Sequence, residues 1–143
     1  MIERVHQHIV TELQQNARTD TIFVITAILL NLIALGVNSG IAAAGAAAAR
    51  YGEPGGGTTT TIVMFTFVAL VIVVNFVAEV GLIRGRQMRA KLLNGLLKMY
   101  KDQGVEGYYD PSLLSNYNTR YNLFMLAVLF TGLVAIIVPF IVR

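Results

Sequence analysis

The stretch that most restricts what this chain can fold into is residues 58–91, TTTTIVMFTFVALVIVVNFVAEVGLIRGRQMRAK. Within it, residues 62–83 form a nearly uninterrupted apolar run of about twenty residues, enough to cross a hydrocarbon layer of roughly 30 Å as a helix. The run then turns basic, with Arg84, Arg86, Arg89 and Lys91 in quick succession. An apolar span that ends in clustered cations specifies both insertion and orientation, because such cations stay on the cytoplasmic side.

Two further apolar stretches repeat the pattern. The first span is expected at residues 20–49, with its most apolar part from Ile22 to about Ala42, and the third at residues 121–143. Composition agrees: 55% of the 143 residues are apolar and only 13% charged, against about a quarter charged in a soluble domain. The length fits one domain with no separate soluble module. No cysteine is present, which excludes disulfides, thiolate metal sites and cysteine nucleophiles. The N-terminus is a mixed polar segment, and the first apolar run is too long for a signal-peptide core.

The segments outside the spans have their own periodicity. In residues 1–18, Ile2, Val5, Ile9 and Leu13 fall at helical spacing, which predicts a short amphipathic helix. Thr19, Asp20 and Thr21 supply N-cap chemistry for the span that follows. Residues 50–57, RYGEPGGG, read as a loop in which Pro54 and three glycines end helicity. Residues 85–120 read as a basic helix and linker: Met88, Leu92, Leu96 and Tyr100 make a stripe, and the helix stops at 104–107. Asp110, Pro111 and Ser112 have the chemistry of a helix start leading to Asn116. The expected fold is therefore an all-α integral membrane protein with three transmembrane helices plus two cytoplasmic amphipathic helices.

Charge counting orients it. Two of the eleven Lys and Arg precede the first span, seven lie between spans two and three, and only Arg50 and Arg143 fall on the other side. The positive-inside rule puts the N-terminus in the cytoplasm, the glycine loop and the C-terminus outside, and the expected location is a bacterial cytoplasmic membrane.

Three groups of residues stand out inside the spans. Gly36, Gly40 and Ala44 form a small-xxx-small ladder of the kind that lets helix backbones approach closely in lipid. That ladder serves either a contact within the chain or an interface with another. Asn31 and Asn75 lie at matching depth in an antiparallel hairpin, near the midplane. A hydrogen bond between them is the simplest reading, and polar lining of a conduction path the alternative. Counting the first span from Ile22, Glu79 is the only acidic residue inside a span, close to the basic end. It reads as an anchor paired with Arg18, Arg86 or Arg120, or else as a group handling cations or protons. Tyr108, Tyr109, Tyr117 and Tyr121 read as headgroup-level anchors.

No nucleophile–base–acid set, phosphate loop or paired carboxylates are visible, so no enzyme activity, catalytic residue or cofactor is expected. His8 and Glu12 share a helical face but lack a third ligand, so no metal site is expected. The order helix, span, span, basic helix resembles small two-span effector domains of bacterial defence systems in architecture alone. The third span departs from them, and no residue is carried over. The expected role is a non-catalytic small membrane subunit packing within a larger hetero- or homo-oligomeric complex. The alternative is a homo-oligomeric pore lined by Asn31, Asn75 and Glu79. Its partners would be the lipid bilayer and other membrane subunits or copies of itself, with no nucleic acid.

Overall fold

The computed structural model describes residues 2–52, 56–108 and 112–143. They form three long helices: α1 (Ile2–Tyr51), α2 (Gly56–Asp102) and α3 (Leu113–Val142), with a 3-10 turn at Glu106–Tyr108. Each helix is long and apolar enough to cross a membrane. The chain is a membrane-embedded helical protein.

The two amphipathic segments are not separate helices. Residues 2–18 continue into the first span without a break, and the basic residues after 84 continue the second. The reason is local. Thr19 and Thr21, expected as capping residues, instead return their hydroxyls to the carbonyls of Gln15 (3.0 Å) and Ala17 (2.9 Å), a bond available only inside a helix. Asp20 is engaged by α3 instead of capping a helix. At about 1.5 Å per residue, α1 and α2 reach roughly 70–75 Å, more than twice the hydrocarbon thickness. Beyond the basic end of the span they therefore stand as a two-helix hairpin, closed near its tip by His6 Nε2 and the Tyr100 hydroxyl at 2.8 Å.

The stops are better marked than the starts. Gly104 has φ +69°, and the amides of Gly104 and Val105 donate to Lys101 O (3.1 Å) and Tyr100 O (3.0 Å). That paired pattern is a Schellman stop, which needs a residue free to adopt positive φ. Gly52, just past the end of α1, also has positive φ, +69°. Of the loop glycines, Gly56 and Gly57 already belong to α2 rather than to a turn. Pro54, Asp110 and Pro111 lie outside the described residues. Ser112 makes no side-chain cap bond, and Asn116 belongs to α3 itself rather than to a short preceding helix. Pro139 sits in the last turn of α3, where few backbone bonds follow it.

All three helices touch one another. Contacts between Asn31 and Asn75 and between His6 and Tyr100 make α1 and α2 antiparallel. Asp20 with Tyr121 and Asn31 with Thr131 make α1 and α3 parallel. The inward positions follow a seam of alternating steps of three and four. In α2 it runs Met64, Val68, Val71, Asn75, Ala78, Leu82, Gly85, Arg89, Leu92, Leu96, each buried or half-buried. In α3 it runs Tyr121, Phe124, Val128, Thr131, Ala135, Val138. A mean repeat of 3.5 residues keeps the seam facing its neighbours when helices coil gently left-handed around one another. The seam corrects the stripes expected outside the spans in part: Ile9, Leu13, Leu92, Leu96 and Tyr100 are buried or half-buried as expected, whereas Ile2, Val5 and Met88 are exposed and His6, Gly85 and Arg89 turn inward instead.

Candidate functional site: polar layers in the bundle core

The membrane core has an apolar cluster of Val24, Ala27, Ala78, Leu82, Tyr121 and Val128, and a second of Ala34, Val71 and Ala135. Between them, close to the midplane, lies a layer of amides. Asn31, only 1% exposed, donates from Nδ2 to Asn75 Oδ1 (3.1 Å) and to Thr131 Oγ1 (3.1 Å). Asn75 Nδ2 donates back to Asn31 Oδ1 (2.8 Å) and to Val71 O (2.8 Å). The arrangement is reciprocal and neutral, and it ties all three helices together. Gly132 makes room for it: a Cβ there would come within 2.6 Å of Asn75 Cγ. Thr131 and Gly132 carry no sequence signal of their own, because threonine and glycine are ordinary in membrane helices.

A second layer lies near the basic end. Asp20, 5% exposed, accepts a hydrogen bond from the Tyr121 hydroxyl and another from Asn16 Nδ2 (3.3 Å). Asn16 also donates to the Gly85 carbonyl (3.0 Å), so this layer again joins α1, α2 and α3. Gly85 cannot carry a side chain here, since a Cβ would run into the Asp20 carboxylate. Arg89 exerts its charge on Asp20 and stacks its guanidinium 4.4 Å from the Tyr117 ring centroid. Arg86 donates to Asn122 Oδ1 (2.8 Å).

These contacts revise several expectations. Asp20 is a mid-helix core residue, not an N-cap. Tyr121 is buried at 3% exposure and is not a headgroup anchor. Tyr109 and the Tyr108 side chain lie outside the described residues. Of the four cations expected as a cytoplasmic basic cluster, Arg84 and Lys91 are exposed, while Arg86 and Arg89 are built into the bundle. One retrospective signal exists for Asp20. Asn31 is three helical turns from it, and Asn16, Asp20, Asn31 and Asn38 all fall on one stripe of α1.

Among the described residues, Glu79 has no arginine on its buried Oε1, which is without a hydrogen-bond partner. Arg86 is committed to Asn122, Arg120 lies 5.3 Å from the Phe124 ring centroid, and Arg18 is exposed. The Asn38 amide is likewise buried with neither Nδ2 nor Oδ1 bonded.

The small-residue ladder does not serve the packing inside the chain. Gly36, Gly40 and Ala44 are exposed, and a Cβ at Gly36 or Gly40 would meet nothing within 4 Å. The face used internally is Ala27, Asn31, Ala34, Asn38, Ala42 and Gly45, where a Cβ on Gly45 would stand 2.6 Å from Thr60 Oγ1. Close approach by small residues is real, one register away from the expected stripe.

What these layers do chemically is hold helices together: reciprocal amides at the midplane and a hydrogen-bonded carboxylate at the basic end. Among the described residues, no three His, Cys, Asp or Glu converge as a metal cluster. Comparison with protein-family models, with curated proteins and with solved structures finds no match.

Proposed function

We propose that this chain is a non-catalytic membrane subunit that associates with other membrane helices, its own or another protein's, through the exposed Gly36, Gly40, Ala44 face of α1. The observation that carries the reading is a division of labour on one helix. The bundle consumes one small-residue face of α1 and leaves a second exposed. Without a hydrophobic drive between helices in lipid, close van der Waals packing over small residues is what favours association. The midplane amides add support, because their hydrogen bonds are made within the chain rather than held out to a lumen. With the expected orientation, the glycine loop and Arg143 face away from the cytoplasm, and the two-helix hairpin projects into it. The host membrane in this reading is a bacterial cytoplasmic membrane.

The test is extraction in mild detergent, with the mass of the assembly measured and co-purifying chains identified. Gly40→Ile is expected to release the chain from its assembly while leaving its own unfolding temperature within a few degrees of wild type. An assembly of unchanged size would overturn the reading.

One observation favours a second reading, a homo-oligomeric pore. Glu79 places a carboxylate oxygen without a partner on a membrane helix, a position that concentrates cations when several protomers present it. In that case Glu79→Gln abolishes cation flux in liposomes with little change in folding. In the subunit reading, neither wild type nor variant conducts.

A further inference from the structure

The two cations that the topology leaves on the glycine-loop side are 93 residues apart in sequence, yet Arg50 and Arg143 line one cleft. The cleft has a volume of about 290 Å³ and is bounded by Ala46 and Gly45 of α1, Gly57, Thr60 and Thr61 of α2, and the end of α3. Arg143 donates from Nη2 to Thr61 Oγ1 (2.6 Å), which directs its guanidinium to the second turn of α2. Thr61 can accept that bond because its own proton is given to Gly57 O. Gly45 allows α1 to approach Thr60 at the cleft floor.

Depth indicates what such a cleft meets. The apolar runs of α2 and α3 end at Ile62 and Val142, and Arg50 stands eight residues, about 12 Å, past Ala42. The cleft therefore lies at headgroup level, just beyond the hydrocarbon. None of the described residues that line it is acidic. Two guanidiniums beside one cavity make a forked donor set suited to a phosphate group. The first-turn amides of α2 add a smaller attraction of the same sign.

We propose that this cleft binds the phosphate of an anionic lipid headgroup, gripped by Arg50 and Arg143. The site is independent of the Gly36, Gly40, Ala44 face and of any assembly formed there.

The full chain, delipidated in detergent, is titrated with short-chain phosphatidylglycerol, with short-chain phosphatidylcholine, and with inorganic phosphate. Bound lipid is counted by native mass spectrometry and stability by thermal unfolding. One phosphatidylglycerol should be retained over phosphatidylcholine. Arg50→Gln with Arg143→Gln should weaken it by about a hundredfold, roughly tenfold for each guanidinium removed from the phosphate. Ala46→Trp, which fills the cleft and leaves the charge unchanged, should remove the same lipid. Arg4→Gln, at the other end of the molecule, should leave it in place. An equal effect from inorganic phosphate at the same concentration overturns the headgroup as ligand and transfers the site to soluble phosphate. Retention that survives both the double substitution and Ala46→Trp, or no preference for the anionic lipid, overturns the site.

Discussion

The midplane layer and the layer near the basic end do the same mechanical job with different chemistry. Each ties α1 to both other helices through side chains on one stripe of α1. At the midplane the bonds run between neutral amides and a threonine, whereas near the basic end a carboxylate is held by a phenol, an amide and the charge of Arg89. Depth accounts for the difference. A charge at the bilayer centre costs several kcal/mol on any scale, while one near the boundary has cations and water within reach. Both layers also need a glycine on the neighbouring helix, Gly132 for Asn75 and Gly85 for Asp20. Polar side chains are larger than the alanines around them, so the opposing backbone has to give up its Cβ.

The contrast between the layers is most easily broken at Asp20. Asp20→Ala leaves the buried Tyr121 hydroxyl without its acceptor and the Asn16 amide with the Gly85 carbonyl but no carboxylate. A loss of about 2–3 kcal/mol is expected, the range for hydrogen bonds to a charged group. Equilibrium unfolding in mixed detergents measures it. A cost below that of Asn31→Leu would mean that the basic-end layer is solvated rather than buried.

The glycine requirement is tested next. Gly132→Leu should cost about 1–3 kcal/mol by overpacking against Asn75. The same substitution at Gly36, where a Cβ meets nothing, should leave the unfolding of the isolated chain almost unchanged. Equal costs at the two positions would show that glycine matters here for its backbone rather than for the room it leaves.

The smallest effect sharpens the midplane side. Asn31→Leu and Asn75→Leu should be non-additive by about 0.6–1.7 kcal/mol in a double-mutant cycle, because either change alone already removes both reciprocal bonds of the pair. Additivity would mean that Thr131 and the Val71 carbonyl hold the two amides separately, and that the pair is not the unit of stability.

By itself the sequence determined the helical class, the three spans, the stop at Gly104 and the matching depth of Asn31 and Asn75. These follow from local quantities: apolar run length, residues that tolerate positive φ, and a fixed rise per residue. Where the helices begin was less legible. Thr19, Asp20 and Thr21 have capping chemistry, but Thr19 and Thr21 return their hydroxyls to the carbonyls of Gln15 and Ala17 and Asp20 is taken up by Tyr121, so the helix continues through residues that could have started one. Azimuth was decided only by tertiary structure. Residues 42–49 of α1 are all alanine or glycine, and small residues appear on more than one of its faces. Hydrophobic contrast cannot choose among faces when lipid and protein interior are equally apolar. The choice fell to polar side chains that have to meet partners: Asp20 to Tyr121 and Asn31 to Asn75 set the rotation of α1, turning Ala34, Asn38 and Ala42 inward and Gly36 and Gly40 out. The same rotation puts Arg50 on the cleft that Arg143 also lines, a juxtaposition that no spacing along the chain encodes.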